Sequence, residues 1–104
     1  MLSLAKTKIK IDLDKLSSAI SNYDDIIDEF EQALDNTEKA ITSLKTSGWK
    51  SGASAAYFLT YEDTWKKNME KRIKIIKHLR DCLKKANKEY SAVYEEMQDL
   101  DVGL

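Results

Sequence analysis

Two long apolar runs, each spaced alternately three and four residues apart, leave this chain little choice but paired helices. The first runs Leu13, Leu16, Ile20, Tyr23, Ile27, Phe30, Leu34, Thr37, Ile41 and Leu44, with Thr37 its one polar member. That spacing sets a single stripe along a helix at the heptad period of a seam that packs on a second helix. The other begins after Gly52 and runs Phe58, Glu62, Trp65, Met69, Arg72, Ile76, Leu79, Leu83, Ala86, Tyr90, Val93, Met97 and Leu100, interrupted only by Glu62 and Arg72. Proline is absent and the only glycines are Gly48, Gly52 and Gly103, so no breaker limits either helix.

Local signals set the expected ends. Asp12 is suited to an N-cap, Asp14 stands where the helix dipole favours an acid, and Gly48 can take the left-handed C-terminal turn; a helix over about residues 12–47 follows. Ser54 as N-cap predicts the second helix over about 54–99, which leaves a turn at 48–53 and a short acidic tail. Before the first helix, the alternation Ile9, Ile11, Leu13 predicts a short extended arm. The chain reads as one all-α domain over 1–104, an antiparallel two-helix hairpin that forms a four-helix bundle with a partner.

Charge fixes how the helices lie. Residues 12–38 carry nine acids against Lys15, a net of minus eight, and residues 66–88 carry ten Lys and Arg against Glu70 and Asp81, a net of plus eight. Folding back near residue 50 sets these blocks side by side and brings Lys6, Lys8 and Lys10 to Glu89, Glu95, Glu96, Asp99 and Asp101. Each exposed pair adds little stability, but the pattern selects the antiparallel register. On this register residues 30–33 face 65–72, and Arg72, intruding on the seam, needs an acid such as Asp28 or Glu29. The same cancellation removes the unbalanced basic face that nucleic-acid binding requires.

The N-terminal residues lack the apolar run of a secretory signal, and no stretch could span a bilayer, so a soluble chain is expected, exported only by a route without a cleaved signal. Cys82 cannot close an intramolecular disulfide; a small, buried packing role is expected of it, with a reactive thiol the alternative. His78, the lone histidine, reads as a surface imidazole, so neither a Cys/His metal cluster nor a Ser-His-Asp arrangement assembles within the chain. The pairs Asp24-Asp25, Asp28-Glu29, Glu62-Asp63 and Glu95-Glu96 have no cleft on a hairpin and read as solvated faces. No enzyme activity, cofactor or metal is expected.

Helix one carries a second stripe, Ala19, Ile26, Ala33 and Ala40, each seven residues apart. With the seam this makes three of every seven positions apolar or small, a width that suits a helix with neighbours on two sides. Tyr57, Leu59, Tyr61, Ile73 and Ile75 add apolar surface outside the second seam. The expected partner interface is Ala19, Ile26, Ala33, Ala40, Tyr57 and Tyr61. Trp49, set in the turn between two glycines, needs apolar cover from the start of helix two or from a partner groove.

Trp49 with Gly52, then Ala55, Ala56, Phe58 and Trp65, between two long helices, resembles the WXG family, the small helical hairpins exported by type VII secretion systems of Gram-positive and related bacteria. The resemblance spans essentially the whole chain. Two residues, Lys50 and Ser51, stand between Trp49 and Gly52 where the family has one, which marks a divergent branch. The family's export signal, a tyrosine followed four residues later by an acid, is degenerate here: Tyr90 is followed by Tyr94, and Tyr94 by Gln98, with Glu95 and Asp99 one residue further on.

The resemblance implies a protein secreted without a cleaved signal, with a cytoplasmic pool before export, or a small targeting subunit paired with a helical secretion substrate such as the N-terminal domain of a toxin. A heterodimer is expected, because a partner can display the export signal for both chains, and a homodimer is the alternative. A cytoplasmic structural coiled coil with no secretion role is the competing reading.

Overall fold

A computed structural model describes the backbone of residues 2–102 and the side chains of residues 4–98. Helix α1 spans Leu2–Thr46 and helix α2 spans Gly52–Thr60; a π-helical turn, Tyr61–Lys66, then leads directly into helix α3, Lys67–Val102. The fold is an all-α helical hairpin with no strand among the described residues. The side chains of Asp99, Leu100 and Asp101, expected in the seam and the acidic tail, lie outside the described residues.

The first helix begins a full three turns earlier than expected. Ile9, Ile11 and Leu13 belong to α1 and not to an extended arm, and Asp12 is a mid-helix residue. Ile9 stands four before Leu13, so it extends the seam by one step, and no glycine or proline stops the helix from following it. At the other end Gly48 has φ +83°, the left-handed conformation that closes a helix C-terminus. The second cap is Ser51, not Ser54. Its hydroxyl accepts from the Ser54 N–H at 3.2 Å while the Ser51 N–H donates to the Ser54 hydroxyl at 2.8 Å, a reciprocal capping box. That box holds Ser54 buried and starts helix two earlier.

The chain forms two compact units, one of Asp25–Lys77 and the other of Met1–Asp24 with His78–Leu104. The turn-bearing unit contains every fully buried apolar side chain among the described residues: Ile27, Ile41, Tyr61 and Ile73. At roughly 1.5–3 kcal/mol for each buried large side chain, these four dominate what holds that unit. In the unit that carries the termini, Leu13, Leu16, Ile20, Tyr23, Leu83 and Met97 are only half-buried.

All ten positions expected in the first seam are buried or half-buried. The second seam follows expectation to Trp65 and then changes phase. The residues turned inward are Phe58, Tyr61, Trp65, Met69, Ile73, Ile76, Arg80, Leu83, Asn87, Tyr94 and Met97, whereas Glu62, Arg72, Leu79, Tyr90 and Val93 are exposed. The π-helical turn explains the change. A π turn holds about one residue more than an α turn, so every later residue is rotated by one position. Glu62 and Arg72, the two intruders of the expected seam, thereby leave it, and Tyr61 and Ile73 take their places.

Cross-helix polar pairs stand along α1 at a seven-residue interval. In the terminal unit, Asn87 Nδ2 donates to Ser17 Oγ at 3.3 Å, and Arg80 Nη1 meets Asp24 Oδ1 at 3.1 Å. In the turn-bearing unit, Lys77 meets Glu31 at 2.9 Å, Lys66 meets Glu38 at 2.6 Å and Lys45 meets Glu62 at 3.9 Å. The acidic and basic blocks therefore do oppose each other, with residue 31 opposite residue 77, about one turn from the expected register. The buried-charge role expected of Arg72 falls to Arg80, which is part-buried, ion-paired to Asp24 and also held by Asp81 at 3.2 Å.

Candidate partner interface and turn motif

Within α1 the ion-paired positions and the second stripe lie on opposite flanks of the seam. Ile26, Ala33 and Ala40 each precede a seam residue by one, while Glu31 and Glu38 follow a seam residue by four, a difference of nearly half a turn around the helix. One flank is closed by charge pairs and the other is bare. In the turn-bearing unit Ile26, Ala33 and Ala40 are exposed; in the terminal unit Ala19 is half-buried. Small side chains on such a flank let a further helix approach closely.

The phase change also gives α3 a stripe that sequence reading assigned to the seam. Leu79 and Val93, on the terminal unit, are exposed and stand seven residues either side of half-buried Ala86. Ile75, Tyr57 and Leu59 are exposed as expected of apolar surface outside the seam, but Ile73 and Tyr61 are buried inside the hairpin. Tyr61 is only 5% exposed, so it is not available to a partner as expected. Its removal from the surface follows from the π turn, which no spacing rule in the sequence announces.

At the turn, Trp49 rests on the first turns of the second helix. Its ring centroid lies 5.7 Å from those of both Tyr57 and Phe58, and Tyr57 and Phe58 meet edge-on at 5.7 Å. Lys45 Nζ sits 5.3 Å above the Phe58 ring. The cover is incomplete, for Trp49 remains 37% exposed with Tyr57 open beside it. Gly52, the first residue of α2, has open space where a side chain would begin. The three rings form an exposed aromatic corner of a kind that anchors interfaces.

Beneath this corner Tyr61 stacks on Trp65 at 5.4 Å and 23°, and Thr37, Tyr57, Thr60, Tyr61 and Trp65 line a hollow of about 270 Å³. The Tyr61 hydroxyl is buried without a hydrogen-bond partner. Burial, and then the Glu38 carboxylate, raise its pKa above the ordinary 10.0. Lys66 is raised above its ordinary 10.5, chiefly by its hydrogen bond to Glu38. Both shifts stabilise the protonated forms in the folded chain. Their contribution is complete below about pH 10 and is lost as the pH rises through the folded values. Unfolding free energy should therefore be level from neutrality to about pH 10 and fall above it. Tyr61→Phe, which deletes an unsatisfied hydroxyl, should raise stability by about 1 kcal/mol and flatten that alkaline fall. Urea titrations of both proteins across this range check it, and a destabilised Tyr61→Phe would mean that the hydroxyl is satisfied.

The residues of the degenerate export signal lie along the last turns of α3 in the terminal unit. Tyr90 is exposed, Gln98 is exposed, and Tyr94 is half-buried with Lys6 Nζ 5.9 Å from its ring centre. Cys82 is exposed, not buried as expected, because the phase change carries it away from the seam; its Sγ lies 3.7 Å from His78 Nε2. No helix among the described residues is long and apolar enough to cross a membrane.

A family model described as "Proteins of 100 residues with WXG" matches residues 8–95 of the chain. No curated protein and no solved structure matches it.

Proposed function

Since this chain belongs to the WXG100 family, the small helical proteins associated with type VII secretion, we propose that it is a secreted protein or small targeting subunit that pairs with another helical secretion substrate. The observation that carries this reading is the bare flank of α1, where Ile26, Ala33 and Ala40 stand exposed while the opposite flank is closed by ion pairs. A second hairpin, or the helical N-terminal domain of a larger secreted protein such as a toxin, covers that flank and completes a four-helix bundle. The strict tyrosine-to-acid signal is missing from Tyr90, Tyr94 and Gln98, so the partner supplies it and the heterodimer is the working unit. Recovery of this chain from culture supernatant only when a helical partner is co-expressed would support the proposal. Exclusive retention in the cytosol of a secreting strain would count for a structural coiled coil instead.

Self-pairing is the second reading, and one observation favours it. Asp25, Asp28 and Glu29 on α1, and Lys71, Lys74 and Lys85 on α3, are exposed and make no ion pair among the described residues. Two copies could therefore set acid against base. Mass measurement of the chain alone and with helical proteins encoded beside it separates the two arrangements.

Trp49 belongs to recognition in this reading. Trp49→Ala should weaken pairing by about tenfold or more, as for other half-exposed aromatic anchors, while the hairpin keeps its helicity. Circular dichroism and titration calorimetry on the same variant decide the matter: parallel loss of helicity and of binding would make Trp49 a packing residue only.

A further inference from the structure

We propose that His78 and Cys82 form half of a zinc site, completed by the same pair from a second copy of this chain. The two side chains stand one helical turn apart on the exposed side of α3, with Cys82 Sγ 3.7 Å from His78 Nε2. A tetrahedral zinc ion with Zn–S of about 2.3 Å and Zn–N of about 2.0–2.1 Å holds sulfur and nitrogen about 3.6 Å apart. The pair is thus already spaced as two corners of that tetrahedron, and thiolate with imidazole is a donor set that suits zinc over harder cations.

Charge and coordination number both require the second copy. Structural zinc takes four ligands, and one chain offers two, since no group of three or more metal-binding side chains occurs among the described residues. A single thiolate would leave the ion with a net positive charge beside Lys74 and Lys85, each within about a turn of the pair. Two thiolates and two neutral imidazoles make a centre of zero net charge, which those lysines do not oppose. His78 and Cys82 lie on the side of α3 turned away from Ile76, Arg80 and Leu83, so the junction is separate from the proposed pairing surface and does not depend on it.

Cobalt(II) titration of the full chain, under reductant and without oxygen, tests the proposal. The expected result is one metal for every two chains, a thiolate-to-cobalt charge-transfer band, the intense visible bands of tetrahedral cobalt, and a doubling of the metal-free mass that a chelator reverses. Cys82→Ser should abolish the charge-transfer band, and His78→Ala should weaken cobalt binding by at least about tenfold. Neither exposed substitution should alter helicity or partner pairing. A missing thiolate band, one metal per chain with no change of mass, or a doubled species that resists chelator and yields only to stronger reductant, the behaviour of a Cys82 disulfide, would each overturn it.

Discussion

Charging the bare flank of α1 should cost the protein its partner and spare its fold. Ala33 is exposed, between Ile26 and Ala40 on the flank that no cross-helix pair occupies. Ala33→Arg puts a long cation where close helix approach is needed, and its burial against an apolar partner stripe would leave it unpaired. A loss of at least thirtyfold in pairing, about 2 kcal/mol or more, is expected. The isolated chain should retain its helical signal, because arginine is a good helix former on an exposed surface. Calorimetric titration with the partner, or sedimentation of the chain if it self-pairs, measures the loss. Undiminished pairing would place the interface elsewhere and remove the main support for the bundle.

The other large effect belongs to the core of the turn-bearing unit. Ile41 is 3% exposed, one of only four apolar side chains buried to that degree. Ile41→Ala removes buried methylene groups and leaves a cavity, at about 2–5 kcal/mol. A small domain has roughly 5–15 kcal/mol to lose, so the isolated variant should be partly unfolded at moderate urea concentrations. Leu59→Ala, at a position 62% exposed, should change stability by less than about 0.5 kcal/mol. Comparable midpoints for the two variants would mean that the hairpin core lies elsewhere.

Much of this was legible in the sequence, and the residues where it was not share a cause. The heptad count through α1 found every inward residue, because a regular helix without insertions preserves phase from Leu13 to Leu44. Gly48 was legible for its own reason, since only glycine readily adopts its φ. The opposed charge blocks were legible too, and Asp24, Glu31 and Glu38 meet basic partners. Reading failed where the backbone departs from the α period. The π turn at Tyr61–Lys66 displaced Leu79 and Val93 from the seam, buried Tyr61 and brought in Arg80 and Asn87. Glu62 and Arg72 were the available warning: two charged residues in a strict count are cheaper to expose by a change of phase than to bury. At the candidate interface, Ile26, Ala33, Ala40 and Tyr57 stand on the surface as expected, whereas the spacing could not tell that Ser51 and Ser54 would cap each other.

The surplus residue of the π turn behaves as a skip in the heptad count, and its position sets what a change of length would do. Deleting Thr64 should turn Tyr61–Lys66 into ordinary α-helix and rotate everything after it by about 100° relative to α2. Arg72 would then return to the seam and Ile73 would be turned out of it. A one-residue deletion in the outer part of the 47–51 connection leaves the phase of the helix alone. Two deletions of equal size therefore differ sharply in consequence: one shortens a loop, while the other reassigns which face of α3 meets its neighbours.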